Sequence, residues 1–159
     1  MAKMQNMFKP SRSSKATPRG NSGYDNAREN IDPQVIQRHE PLSINFFIDG
    51  GGAVIDTGVR GCVRIPFPCS LRSVTLLADQ AGSIKIDVWK DSFASYPPTD
   101  ADTITGGNEP EIVAATKKED STLTGWTKDL NAGDILYFNV DSVTTIEWVL
   151  IELKILRNG

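Results

Sequence analysis

One histidine, His39, is all the imidazole this chain contains. Any Ser/His/Asp or Cys/His arrangement must therefore be built on it. It stands between Arg38 and Glu40 in a polar stretch that ends at Pro41. Holding an imidazole in catalytic geometry requires rigid support, and the residues around His39 promise none. The carboxylates Asp49, Asp56, Asp79, Asp87 and Asp91 raise calcium binding or paired acid–base chemistry. Asp49-Gly50-Gly51-Gly52 lacks the alternating acidic ligands of a calcium loop. It also lacks the Lys-Ser/Thr of a phosphate loop, so it reads as a turn. Glycoside hydrolysis needs two carboxylates beside a sugar cleft, and no grouping of acids with aromatics marks one. Two cysteines, Cys62 and Cys69, with one histidine are too few for a zinc cluster. They pair only if a tight turn joins their strands, and the simpler reading is two reduced small hydrophobes. No catalytic, cofactor-binding or metal-ligating residue is expected, and the chain does not read as an enzyme.

Contact chemistry is better represented. Trp89, Tyr96, Trp126, Tyr137 and Trp148 can pack a core, stack on a glycan or meet another subunit. Trp89 and Trp148 fall on the nominal outer faces of their strands and are assigned to subunit contacts. Charge is uneven along the chain. Residues 1–40 carry seven basic and four acidic side chains, net +3, and the other 119 carry ten and sixteen, net −6. The first twenty residues hold Lys3, Lys9, Arg12, Lys15 and Arg19 with no acid. Such a segment fits an acidic protein surface. Nucleic acid is a weaker fit, since clustered charge interleaved with aromatics is wanted and Phe8 is the one aromatic there.

These side chains need elements to hold them, and the chain of 159 residues with 39% hydrophobic content suffices for one domain with a core. Residues 1–41 read as an extended polar, basic arm. Within it Asp32-Pro33 is an N-cap and first-turn pair, and 34–38 could form a short helix before Pro41. Ile31, Val35 and Ile36 would then anchor the arm by a small apolar contact. With Lys3, Phe8, Lys9, Arg12, Lys15, Arg19 and Arg28 they form the expected partner-contact set. A segment so poor in apolar residues is ordered by neighbours, if at all.

From Leu42 the pattern turns to period two. Leu42, Ile44, Phe46 and Ile48 share one face up to the glycine turn. Val59, Val63 and Ile65 alternate with Arg60, Cys62 and Arg64 before Pro66 and Pro68. Residues 71–78 form a third strand, ended by Asp79-Gln80-Ala81-Gly82, and 84–89 a fourth. Residues 93–109 are turn-rich. Further strands are expected at 111–115, 122–127, 135–140 and 144–156, the last the longest, with 116–121 as a loop. About eight short strands and no crossover helix predict an all-β antiparallel sandwich, jelly-roll-like, over residues 42–159. No apolar run is long enough to cross a membrane, and the basic N-terminus lacks the apolar core of a signal peptide. Assembly in a cytoplasm is expected.

Several stretches carry a resemblance. They are Phe47-Ile48-Asp49-Gly50-Gly51-Gly52-Ala53-Val54-Ile55 with Gly58, residues 73–91 (SVTLLADQAGSIKIDVWKD), Tyr96-Pro97-Pro98-Thr99 and Ala101-Asp102-Thr103-Ile104. Leu123-Thr124-Gly125-Trp126 and residues 132–142 (AGDILYFNVDS) complete the set. In that order they resemble a knob domain of structural proteins of tailed bacteriophages, as in tail fibres and other particle-surface proteins. The resemblance implies a β-sandwich knob, often a homotrimer, displayed on the virion. This chain departs from the fibre pattern in having forty polar residues where a repetitive shaft would stand. That departure favours a capsid decoration or cement protein whose arm lies on the major capsid or another virion protein. The alternative is a receptor-binding fibre, spike or neck component whose 93–109 and 116–121 loops meet the host surface.

Overall fold

A computed structural model describes residues 41–158. They form seven strands and two short 3-10 turns: β1 Pro41–Asp49, β2 Gly58–Arg64, β3 Cys69–Asp91, β4 Glu111–Asp120, β5 Asp129–Leu130, β6 Ile135–Thr144 and β7 Trp148–Arg157. All strand pairs are antiparallel, in the order β1-β7-β3-β6-β2, with β4 and β5 on the opposite side of β3. The all-β sandwich-like class expected from the sequence is the class observed.

The registers explain how seven strands make two layers. The first half of β3 pairs with β7, from Cys69↔Arg157 to Ala78↔Val149. Its second half pairs with β6, from Ser83↔Thr144 to Asp91↔Ile135. β1 then adds to β7 and β2 to β6. β3 thus runs through both layers, bent near its middle so that the strands paired with its two halves face one another. One layer holds β1, β7 and the start of β3; the other holds β2, β6 and the end of β3. Phe46 of β1 stacks on Phe138 of β6 across the layers, centroids 4.4 Å apart and planes 10° from parallel. Such a pair contributes about 0.5–1.5 kcal/mol beyond its buried area.

Period-two alternation fills the space between the layers. Ile48, Leu71, Val74, Leu76, Val149, Ile151, Leu153 and Ile155 point inward from one layer, and Ile84, Ile86, Val88, Leu136, Phe138 and Val140 from the other. Ile55, Ile104, Leu123, Trp126 and Ile146 come from the connections and complete the core. Each such side chain contributes roughly 1.5–3 kcal/mol by leaving water.

Several expectations need correction. Residues 71–78 and 84–91 are one strand, because Asp79-Gln80-Ala81-Gly82 forms a bend in β3 and not a chain reversal. At the bend a Cβ on Gly82 would lie 2.5 Å from the Thr144 carbonyl oxygen and 2.8 Å from Ile146 Cγ1. Glycine is needed there for close approach. Residues 122–127 are a turn, with β5 limited to Asp129–Leu130, while the charged 116–120 stretch is the second half of β4. The longest strand is β3, and β7 begins at Trp148, after a turn. Val59 does not share a face with Val63, because a register shift between Val59 and Gly61 leaves Val59 exposed. Residues 1–40 of the arm, with its Asp32-Pro33 cap and 34–38 helix, lie outside the described residues, as do all the arm contacts named above, while Pro41, assigned to the arm, is the first residue of β1.

Candidate interaction site

Of the acids that could suggest ligation, Asp49, Asp79, Asp87 and Asp91 lie in strands and accept from backbone amides, and Asp56 lies in a loop. Asp49 Oδ1 accepts from the Gly51 amide at 2.8 Å. Asp79 Oδ1 accepts from the Glu147 and Trp148 amides at 3.1 and 3.2 Å, holding the start of β7. Asp56 lies 4.0 Å from Arg60 on an exposed loop. Among the described residues no group of three or more Cys, His, Asp or Glu is placed to hold a metal ion. Both cysteines are free thiols: Cys62 is exposed and Cys69 buried. Burial first, and the Asp134 carboxylate second, push the Cys69 thiol up. His39 lies outside the described residues.

Among the described residues the most deeply buried carboxylate is Asp87, with 5% of its surface exposed. Its Oδ1 accepts from the Val88 amide at 2.7 Å, Thr103 Oγ1 at 2.7 Å and Thr105 Oγ1 at 2.9 Å. Its Oδ2 accepts from the Trp89 indole at 2.7 Å. An isolated carboxylate is expensive to bury unless its lone pairs are satisfied, and these four donors satisfy them. The effect is to fasten the 99–105 segment to the outside of β3, where Thr103 also forms a backbone bridge to Trp89. In the sequence Asp87 is one acid among several. Its partners come from residues up to eighteen positions away, beyond the reach of local pattern.

Two aromatic surfaces result. On the β6 face, Trp89 stands opposite Tyr137 and is half-buried with its N–H engaged by Asp87. Tyr137 donates its hydroxyl proton to Tyr96 at 2.7 Å, the rings meeting edge-to-face at 5.8 Å. That hydrogen bond, then burial and neighbouring phenol and thiol charges, push Tyr137 up to about 12. Phe93 is 69% exposed and lies under the Arg64 guanidinium at 5.3 Å.

On the β7 face an apolar row crosses three strands. Phe47 of β1 is opposite Leu150 of β7, which is opposite Leu77 of β3. Trp148 lies near it on β7, its ring 5.4 Å from that of Phe47. Phe47 is 52% exposed, and Trp148 and Leu77 are each 39% exposed. Contiguous large apolar side chains on an outer face mark a contact surface more often than scattered single ones do. The sequence pattern singles out Trp148 for contact and passes over Phe47 and Leu77. The signal for Phe47 is its place on the polar side of an alternating strand. Trp89 and Trp148 are on different faces and do not form one surface.

Comparison of the sequence with protein families gives no match, and comparison with curated proteins gives none. Among solved structures, RmlC from Streptococcus suis in complex with dTDP-D-xylose is similar at 9% identity and a TM-score of 0.26, over 87% of this chain and 55% of that one. The structure of infectious bursal disease virus Gx strain is similar at 9% identity and a TM-score of 0.21, over 75% of this chain and 39% of that one. The chain thus spans about half or less of the length of these structures. Similarity of this degree bears on neither the activity nor the partners of this chain.

Proposed function

We propose that this chain is a structural protein of a bacteriophage virion: a capsid decoration or cement protein whose N-terminal arm anchors a β-sandwich knob on the particle surface. The observation that carries this reading is the row of exposed Phe47, half-buried Leu150 and exposed Leu77 with Trp148, spread over three paired strands of one layer. An apolar surface held on a sheet suits lasting burial against protein better than it suits turnover of a substrate. The knob resemblance of residues 47–142 supplies the phage setting and favours a homotrimer. The net +3 of residues 1–40 against −6 for the rest suits an arm lying on an acidic subunit surface, such as the major capsid protein. No enzymatic role, cofactor, nucleic-acid partner or membrane contact is part of this reading. Copy number and location in purified particles test it. A cement protein is present in hundreds of copies over the capsid, and deletion of residues 1–40 releases a folded knob from the particle. Retained incorporation after that deletion defeats the arm as anchor.

A second reading has an observation of its own. Phe93 and Tyr96 stand exposed beside a segment fastened by Asp87, as in a preorganised receptor-binding loop of a fibre, spike or neck component. The 116–121 stretch would not join it as a loop, being mostly strand. A handful of copies at the tail, and loss of adsorption on changing Phe93 and Tyr96 to Ala, would favour this alternative.

A further inference from the structure

Sheet edges are liabilities that proteins blunt with charge, bulges or proline, and the described edges of this domain differ in that respect. β2 is interrupted by the shift between Val59 and Gly61 and carries Arg60 and Arg64. β4 shifts register twice against β3, includes Ala114 at φ 47, and ends in Lys117-Lys118-Glu119-Asp120. β1 has such devices only at its two ends, where Pro41 is its first residue and Asp49 its last. Between them it is uncharged and pairs with β7 in unbroken register. Among the described residues no strand pairs with its other edge.

We propose that the free edge of β1 pairs antiparallel with β1 of a second copy of this chain, about a two-fold axis at Asn45. The occupant follows from self-complementarity. With Asn45 opposite Asn45 of the other copy, Leu42 meets Ile48 and Ile44 meets Phe46 on the inner face, and Ser43 meets Phe47 on the outer face. Ile44 and Phe46 are only half-buried in the single chain and Leu42 is exposed, so the pairing covers apolar surface that the fold leaves open. Opposed strands with β-branched and aromatic partners and no charge between them favour each other. Phe47 belongs to both this edge and the apolar row, so pairing extends that row from one copy toward the next. A two-fold contact is separate from any three-fold grouping of knobs. It links neighbouring copies or trimers, and it holds whether or not the chain is a virion component.

The test uses the full chain in sedimentation velocity and native mass spectrometry over a concentration series. A nine-residue edge contact falls at the small end of specific interfaces, below about 1,000 Å². A concentration-dependent doubling of the 17.4 kDa mass is therefore expected. Asn45 is exposed and stands opposite Glu152 of β7, so Asn45→Lys retains the fold. It places like charges opposite one another at the axis and weakens association at least about tenfold. Asn45→Asp does the same once circular dichroism shows it folded, since it faces Glu152 within its own chain, and an equal mixture of the two variants restores association as a mixed species. Amide exchange along β1 that slows with rising concentration supports the pairing independently of any variant. A wild-type chain that stays monomeric overturns it, as does an oligomer indifferent to Asn45→Lys, or a mixture no better associated than its components. An arm folded back over β1 would produce the first of these results.

Discussion

Removing the Asp87 carboxylate is the sharpest test of how the outer loop is held. In Asp87→Ala, the Thr103 and Thr105 hydroxyls and the Trp89 indole lose their acceptor in a site 5% exposed. A buried donor left unsatisfied costs about 1–3 kcal/mol. The Thr103 and Thr105 oxygens lie 3.0 Å apart and can bond each other, which relieves part of the loss. The removed carboxylate also no longer has to be desolvated. The balance is a destabilisation of about 2–4 kcal/mol, a large share of the roughly 5–15 kcal/mol that holds such a domain. Asp87→Asn keeps a carbonyl acceptor for Val88, Thr103 and Thr105 but turns an NH2 donor onto the Trp89 indole N–H, so it is expected to destabilise as well despite its matching shape. Urea unfolding of the full chain, followed by tryptophan fluorescence, reads both. The midpoint should fall in both variants with an unchanged slope. Amide exchange should show the 99–105 segment opening first in the Ala variant. A midpoint unmoved in Asp87→Ala would refute the anchoring role.

Two further outcomes follow from single side chains. In the native protein one thiol, Cys62, is expected to react rapidly with a disulfide reagent, while buried Cys69 reacts only on unfolding; two fast-reacting thiols would contradict the burial of Cys69. In an ultraviolet titration of the phenols, one tyrosine is expected to ionise late, near the value of about 12 of Tyr137. Because that shift comes first from donation to Tyr96, Tyr96→Phe should bring the late transition back toward the ordinary phenol range. A titration unchanged by that substitution would place its cause elsewhere.

Several features are legible in the sequence alone. Ile84, Ile86 and Val88 alternate with Lys85, Asp87 and Trp89, and the alternation identifies a strand and its apolar, inward face. β1 and β6 read equally well, and the shortage of helical periodicity gives the all-β class. Legibility fails where a local rule meets a non-local partner. Asp79-Gln80-Ala81-Gly82 has turn composition, yet Thr144, Thr145 and Ile146 pack against Gly82 and hold it as a bend inside a long strand. The 117–120 charges look like a loop, yet they line an exposed strand edge, where charge is tolerated because only backbone pairs. Leu123 and Trp126 alternate poorly and are buried all the same: the Trp126 indole bonds the Asn108 carbonyl at 2.9 Å, and the Thr127 amide bonds the Ile104 carbonyl at 2.8 Å.

By itself, then, the sequence determined the strand content, the charge asymmetry between residues 1–40 and the remainder, and most inward-facing positions. Those are properties of neighbours in the chain, which period and composition report directly. The tertiary structure alone decided which outer residues meet. Phe47, Leu77, Leu150 and Trp148 come from three separate strands and become one surface only through the β1–β7–β3 register. Asp87 changes from one acid among several to an anchor because Thr103 and Thr105 are brought onto it. Register is set by the sum of pairings across the whole sheet, so no window of sequence contains it.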